Sequence, residues 1–354
     1  MENREISMLP EELEACIKES TISVSNTYEK SSEVLKIGDS VIGILGNFSV
    51  SIGKAKSKKT FNVSAIVAAA LAKDKVLLYK SDFPSEKQGI LYIDTEQARH
   101  HCQKVLNRIL RLAKLPENTD PDNLLMLGLR KYTPEQRLAI VEAALDKLPN
   151  VGLVIIDGIR DFLYDINSPS EATKITSKLM QWTDDQQIHI HTILHQNKND
   201  EHARGHIGTE LNNKAETVMQ IEVDKNDTTI SIVSVIHIRD KEFKPFAFHI
   251  NQDALPELVE SYTPKEKRVG RPTKEPFNPY RDIPEDVHYS ATELAFANGE
   301  INGYHELKKA LQNSYTQIGY KISQGKAVAI ISFLQDKGMI AKFNKAYHFM
   351  PDNQ

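Results

Sequence analysis

The chain holds only two cysteines, Cys16 and Cys102, among 354 residues. That excludes a disulfide framework and any cysteine-based metal spacing, and it favours a reducing, cytoplasmic setting. No apolar run approaches the roughly 20 residues a membrane-spanning helix needs, and the opening Met-Glu-Asn-Arg-Glu has no signal-peptide core. Neither a membrane partner nor export is therefore expected. No internal repeat is visible. A net positive charge is also lacking: the balance is −4, which argues against a chain that coats nucleic acid along its whole surface. The balance is uneven, however. Residues 264–354 carry 13 Lys/Arg against 10 Asp/Glu, and residues 1–263 carry 31 against 38, so a local basic segment in the tail stays open. What is present is ordinary for a soluble globular protein, with 40% hydrophobic and 26% charged residues, and the length favours two domains.

Along the chain, residues 1–36 read as an N-terminal arm with one short helical pattern from Pro10 to Glu19. From Ile37 strand and helix signals alternate, the mark of an α/β sheet. Strands are expected at Val41–Leu45, Val76–Tyr79, Gly89–Asp94, Leu124–Leu129, Val151–Asp157 and His189–Leu194. Helices are expected after Thr60 and at Gln97–Ala113, Pro134–Lys147 and Ser170–Gln186. Asn213–Val223, Thr228–Arg239 and Pro245–Ile250 read as a largely antiparallel end. The core spans 37–262, a Pro-rich basic linker 263–283, and a second domain 284–354.

The chain is organised around Gly53-Lys54-Ala55-Lys56-Ser57-Lys58-Lys59-Thr60. It follows the phosphate-binding pattern G-x-x-x-x-G-K-[ST] at Gly53, Lys59 and Thr60, with Lys58 in place of the second glycine. Such a loop turns backbone N–H groups toward an anion at the start of a helix. The residues from Gly53 to Phe61 are therefore the candidate ATP-binding set, with Lys59 on the β/γ-phosphates and the Thr60 hydroxyl on Mg²⁺. Val151-Gly-Leu-Val-Ile-Ile-Asp157 is an apolar strand ending in a carboxylate, where Asp157 is placed to order the Mg²⁺ shell. Gly89-Ile-Leu-Tyr-Ile-Asp94-Thr-Glu96 is a second acidic strand end.

The D-x-E ending at Asp94 and Glu96, coming after the phosphate loop, resembles the RecA-like ATPases. Ile188-His-Ile-His-Thr-Ile-Leu-His195-Gln-Asn197-Lys198 is similar to the fourth core strand of RepA-type hexameric helicases of plasmids, phages and mobile elements. The resemblance implies a mostly parallel sheet flanked by helices, ATP and Mg²⁺ as cofactors, and a homo-oligomeric ring that passes single-stranded DNA. It also implies Glu96 as the base that polarises the attacking water, with Lys59 beside it. By the same resemblance His195 and Asn197 sense the γ-phosphate, Arg204 lies on a channel-facing DNA loop, and Arg239 is an arginine finger for a neighbouring subunit. His237 stands where a second cation is expected. His189, His191 and His195 alternate along the strand, which is ordinary strand packing rather than metal spacing.

In the tail, Lys267-Arg268-Val-Gly-Arg271-Pro-Thr-Lys274 is similar to the AT-hook core, which lies in the minor groove of duplex DNA. Three helical patterns (Ala291–Ala297, Tyr304–Ser314, Gly325–Lys337) and a ribbon turning at Asn344-Lys345 look like a winged helix-turn-helix. Ser323–Lys337 is then the recognition helix, with Lys326 on DNA phosphates. The expected function is a DNA-acting ATPase, a helicase or a replication or mobilisation ATPase. The alternative, raised by Lys58, is a nucleotide-responsive DNA-binding or scaffold protein with weak or no hydrolysis.

Overall fold

The computed structural model describes residues 9–148, 150–196, 205–260, 262, 277–344 and 346–351. The chain divides into two units, Met1–Pro264 and Lys265–Gln354. The first opens with α1 (Pro10–Ser20), a helix without a buried residue. The hairpin β1 (Glu33–Ile37) and β2 (Ser40–Ile44) follows, and with β4 (Tyr79–Ser81) it forms a small antiparallel sheet of order β2-β1-β4. This sheet begins at Glu33, inside the stretch expected to be an arm.

The large sheet has nine strands. Its parallel part comprises β3 (Asn47–Gly53), β5 (Gly89–Asp94), β6 (Leu124–Gly128), β7 (Val151–Asp157), β8 (His189–His195) and β9 (Thr217–Val223). An antiparallel end adds β10 (Ile230–Ile238), β11 (Phe246–Ile250) and β12 (Pro256–Leu258). The spatial order is β12-β11-β10-β9-β3-β8-β7-β5-β6. Helices α2 (Lys59–Ala72) and α3 (Arg99–Leu112) share one core with one face of the sheet. Helices α4 (Pro134–Lys147), α5 (Pro169–Gln186) and α6 (Gly205–Lys214) share the core of the other face.

Three sequence expectations shift, each for a physical reason. The strand feeding the loop is Asn47–Gly53, not Val41–Leu45. Its apolar Phe48, Val50 and Ile52 alternate with Ser49 and Ser51, so it reads as half polar. Those serines are nevertheless fully buried, because Ser49 Oγ bonds His189 Nε2 at 2.8 Å and His191 Nδ1 at 2.7 Å while Ser51 Oγ bonds His191 Nε2 at 2.9 Å. Satisfied in this way, polar groups enter a core at little cost. Burial in turn pushes both imidazoles down, His189 to about 4 and His191 to about 3. The segment Val76–Tyr79 is a tight turn through left-handed Leu77, closed by mutual Val76 and Tyr79 backbone bonds, and only Tyr79–Ser81 is strand. Residues Asn213 and Lys214 end α6 rather than opening β9.

Helix α2 shows why the apolar run after Thr60 has no polar stripe. Eleven of its 14 residues are buried, because the helix lies between the large sheet and the small one. Tyr79 of β4 donates to Asn62 Oδ1 at 2.8 Å, and Ser81 donates to the Ala69 carbonyl at 2.9 Å. Alanines at 68, 69 and 70 let the two layers approach from both sides.

The second unit comprises α7 (Pro279–Asp282), α8 (Glu285–Ala295), β13 (Ile301–Asn302), α9 (Tyr304–Gln317), α10 (Gln324–Asp336), β14 (Ile340–Phe343) and β15 (Ala346–Phe349), with sheet order β13-β15-β14. Its own core gathers Leu307, Leu311, Tyr315, Ile330, Phe333 and Leu334. Buried His288 bridges the Tyr315 hydroxyl and the Pro279 carbonyl. No helix among the described residues is long and apolar enough to cross a membrane.

Ala68 is fully buried between the two layers, so Ala68→Leu is expected to overpack it. Urea unfolding should show a loss of about 1–3 kcal/mol. An unchanged midpoint would mean that the small sheet does not press on α2.

Candidate active site

Strand β3 delivers Gly53 to the edge of the sheet, in register with His195 on β8. A Cβ on Gly53 would stand 2.2 Å from the Ile221 carbonyl oxygen and 2.6 Å from Ser57 Oγ. Only glycine permits that approach. The loop then turns through Lys56 and Lys58, both left-handed at φ +65°, before α2 begins at Lys59. Lys58 therefore keeps the backbone shape that the pattern's glycine adopts without strain, at a cost of about 1–2 kcal/mol. Its ammonium donates to the carbonyls of Thr228 and Thr229 in the β9–β10 turn. Ser57 Oγ is buried with no hydrogen-bond partner, an open polar atom inside the loop.

Lys59 is buried and donates to the carbonyls of Gly53 at 2.8 Å and Lys54 at 2.9 Å, and to His195 Nδ1 at 3.1 Å. Desolvation lowers its pKa to about 8, against the opposing pull of Asp157 and Glu96. His195 Nε2 lies 3.6 Å from Glu96 Oε1. The His195 contact, opposed by burial, holds the Glu96 carboxyl below its ordinary value. Glu96 is thus ionised at neutral pH, and a line of contacts runs from the loop lysine through the imidazole to the carboxylate.

The two acidic strand ends meet because Asp94 of β5 pairs in register with Asp157 of β7. Their roles differ. Asp94 is fully buried and accepts the backbone N–H groups of Glu96 and Gln97 and the Gln97 side-chain amide, so it shapes the turn that presents Glu96. Asp157 Oδ2 accepts from the Thr60 hydroxyl at 3.0 Å and the Tyr92 hydroxyl at 3.1 Å. Burial, and then the neighbouring Asp94, raise its pKa to about 7. Thr95 Oγ1 ties the two strand ends together, lying 3.0 Å from the Gly158 carbonyl and 2.9 Å from Asp161 Oδ2. A Cβ on Gly158, at φ +108°, would stand 2.2 Å from that hydroxyl oxygen. Sequence reasoning missed Thr95 and Gly158, although a glycine directly after the Asp157 strand is a readable signal.

Loop, carboxylates and His195 line one cavity of about 360 Å³. Helix α3 adds His101, Lys104 and Arg108 to its wall. These three were also missed, although their spacing of three and four residues marks one helical face just after Glu96. One hydroxyl (Thr60) and one carboxylate (Asp157) at hydrogen-bond distance suit a hard cation that keeps most of its water, as Mg²⁺ does.

The structure thus brings together Gly53 to Phe61, Glu96, Asp157 and His195. It does not bring Arg239 to them. That residue follows β10, which runs antiparallel to β9, so it lies at the opposite edge of the sheet, where its N–H donates to the Glu216 carbonyl. Lys326 belongs to the second unit, with its ammonium 4.8 Å from the Phe277 ring centre. Asn197, Arg204, Arg268, Arg271 and Lys345 lie outside the described residues.

The raised pKa of Asp157 makes stability fall as pH rises. The folded state favours the protonated carboxyl, so this contribution is complete below about pH 4 and is lost as pH climbs through about 7. Without divalent cations, unfolding free energy should drop by about 1 kcal/mol between pH 6 and 8 from this one group. In Asp157→Asn that part of the slope should vanish. A variant as pH-dependent as the parent would assign the effect elsewhere.

No curated protein matches the chain. The family model described as an AAA domain matches residues 39–201. The matched stretch takes in the loop, both acidic strand ends and His195, and stops before β9–β12 and the second unit. Residues 39–201 are thus similar to an AAA domain, and they lie in an α/β fold whose mostly parallel sheet flanked by helices is consistent with a P-loop core.

Proposed function

We propose that the protein is an ATP-hydrolysing, RecA-like motor or switch that acts on DNA, of the kind found in RepA-type helicases and in replication or mobilisation ATPases. The observation that carries the reading is the edge at which Gly53, His195, Asp157 and Glu96 converge, with the β8 strand lying between the loop strand β3 and the Asp157 strand β7. In this reading the loop amides and Lys59 hold the β/γ-phosphates. Thr60 and Asp157 hold the Mg²⁺ shell, and bound Mg²⁺ would neutralise phosphate charge. Glu96, ionised and partnered by His195, orients the water in line with the terminal phosphate. Lys59 reaches His195 from one side and Glu96 from the other, so the imidazole is placed to register whether phosphate has drawn the ammonium away.

Arg239 supports assembly into a ring. At about 3.3 Å per residue, β10 carries it roughly 25 Å from the loop edge, too far to serve its own chain's nucleotide. In its own chain the guanidinium lies near Glu216, whose carboxyl it favours in the charged form; in the ring reading it serves the nucleotide of a neighbouring copy. In the second unit the element order α8-β13-α9-α10-β14-β15 and the sheet order β13-β15-β14 support a winged helix-turn-helix, with α10 as the helix offered to duplex DNA. The alternative without turnover rested on Lys58. The left-handed backbone at that position and the engagement of its ammonium at Thr228 and Thr229 favour a working loop.

Steady-state hydrolysis tests the reading. Single-stranded DNA should stimulate ATP turnover by the full chain. Glu96→Ala should bind ATP yet lose at least about 100-fold in turnover, and Lys59→Ala should lose binding as well. Turnover that is indifferent to DNA and to both substitutions would reject the proposal.

A further inference from the structure

The face of α3 that lines the cavity has no part in the sequence motifs. Arg108 lies 3.6 Å from the centre of the Phe61 ring, a stacking distance for a guanidinium. Its Nη1 donates to Ser64 Oγ at 3.4 Å, and Ser64 Oγ in turn donates to the Thr60 carbonyl at 2.7 Å. Two side chains of the first turns of α2 therefore hold Arg108 in place. Its Nε–H is buried without a partner. Lys104, one turn earlier on α3, opens into the same cavity with its side chain exposed. Among the described residues neither cation has a carboxylate within ion-pair distance.

The lysines of the cavity and Arg108 outnumber its two carboxyls, Glu96 and Asp157, so the cavity carries an excess of positive charge. Guanidinium and ammonium are donor-only groups, so the ligand that satisfies them must present acceptors. A polyphosphate chain presents several in a row at full charge, and an Arg–phosphate contact is among the stronger charge-assisted bonds.

We propose that Arg108 and Lys104 bind the phosphates of the nucleotide from the α3 side, so that the polyphosphate is gripped between the loop at the start of α2 and the basic face of α3. This rests on reading residues 53–60 as the phosphate loop. Phe61 then has a double place: its backbone belongs to the loop, and its ring fixes the angle at which Arg108 enters.

Titration calorimetry on the full chain tests this with ATP, ADP and inorganic tripolyphosphate. Lys104→Ala and Arg108→Ala are each expected to weaken all three by about tenfold, with Arg108→Lys recovering part of the loss. The weakening should shrink with added salt. Because Arg108→Ala also removes the Phe61 contact, Lys104→Ala, at an exposed side chain, guards against a folding defect. Unchanged affinity in both variants overturns the inference and leaves the loop reading standing. A loss seen with ATP but not with tripolyphosphate also overturns it, since that would mark base recognition. A wild-type chain that binds none of the three ligands overturns the loop reading itself, and the inference falls with it.

Discussion

The hydrogen bond from Thr60 to Asp157 joins the start of α2 to the end of β7, and the site's geometry depends on it. Thr60 is placed by a loop that can form only because Gly53 lets β3 approach β9 to within a Cβ's width. Asp157 is placed by parallel register, which sets it beside Asp94 at the end of an all-apolar strand. Burial then raises Asp157 toward neutrality while His195 keeps Glu96 charged. Two carboxyls at one sheet edge thus have opposite protonation tendencies, the difference that the proposed function assigns to a metal-side and a water-side group.

A second constraint lies behind the loop. Helix α2 is covered on two sides, so its first turn cannot swing away from the sheet without opening both layers. The buried Ser49, Ser51, His189 and His191 hydrogen bonds play the matching part on the strand side, locking β3 to β8 where Gly53 meets His195.

Much of this could be read from residue order. The loop, both acidic strand ends and the histidine strand were each recognisable, because their chemistry dictates both residue type and place along a strand. The feeding strand was misplaced because Ser49 and Ser51 look solvent-facing until their histidine partners, 140 and more residues away in sequence, are known. The basic face of α3 was overlooked because Lys and Arg on a helix usually mean a solvated surface, and only its packing against Phe61 and Ser64 turns Arg108 inward. The position of Arg239 at the far edge was not legible, since it follows from the antiparallel return of β10.

Lys58 bears on how such loops are recognised at all. What the turn demands at that point is handedness, and glycine is merely the least costly way to supply it. A lysine meets the same demand by anchoring its far end on two carbonyls across the gap, which offsets part of its backbone strain and fastens the β9–β10 turn to the mouth of the cavity. Loops that hold a left-handed side chain in this manner escape a pattern written in glycines, yet they gain a tether that glycine could never provide.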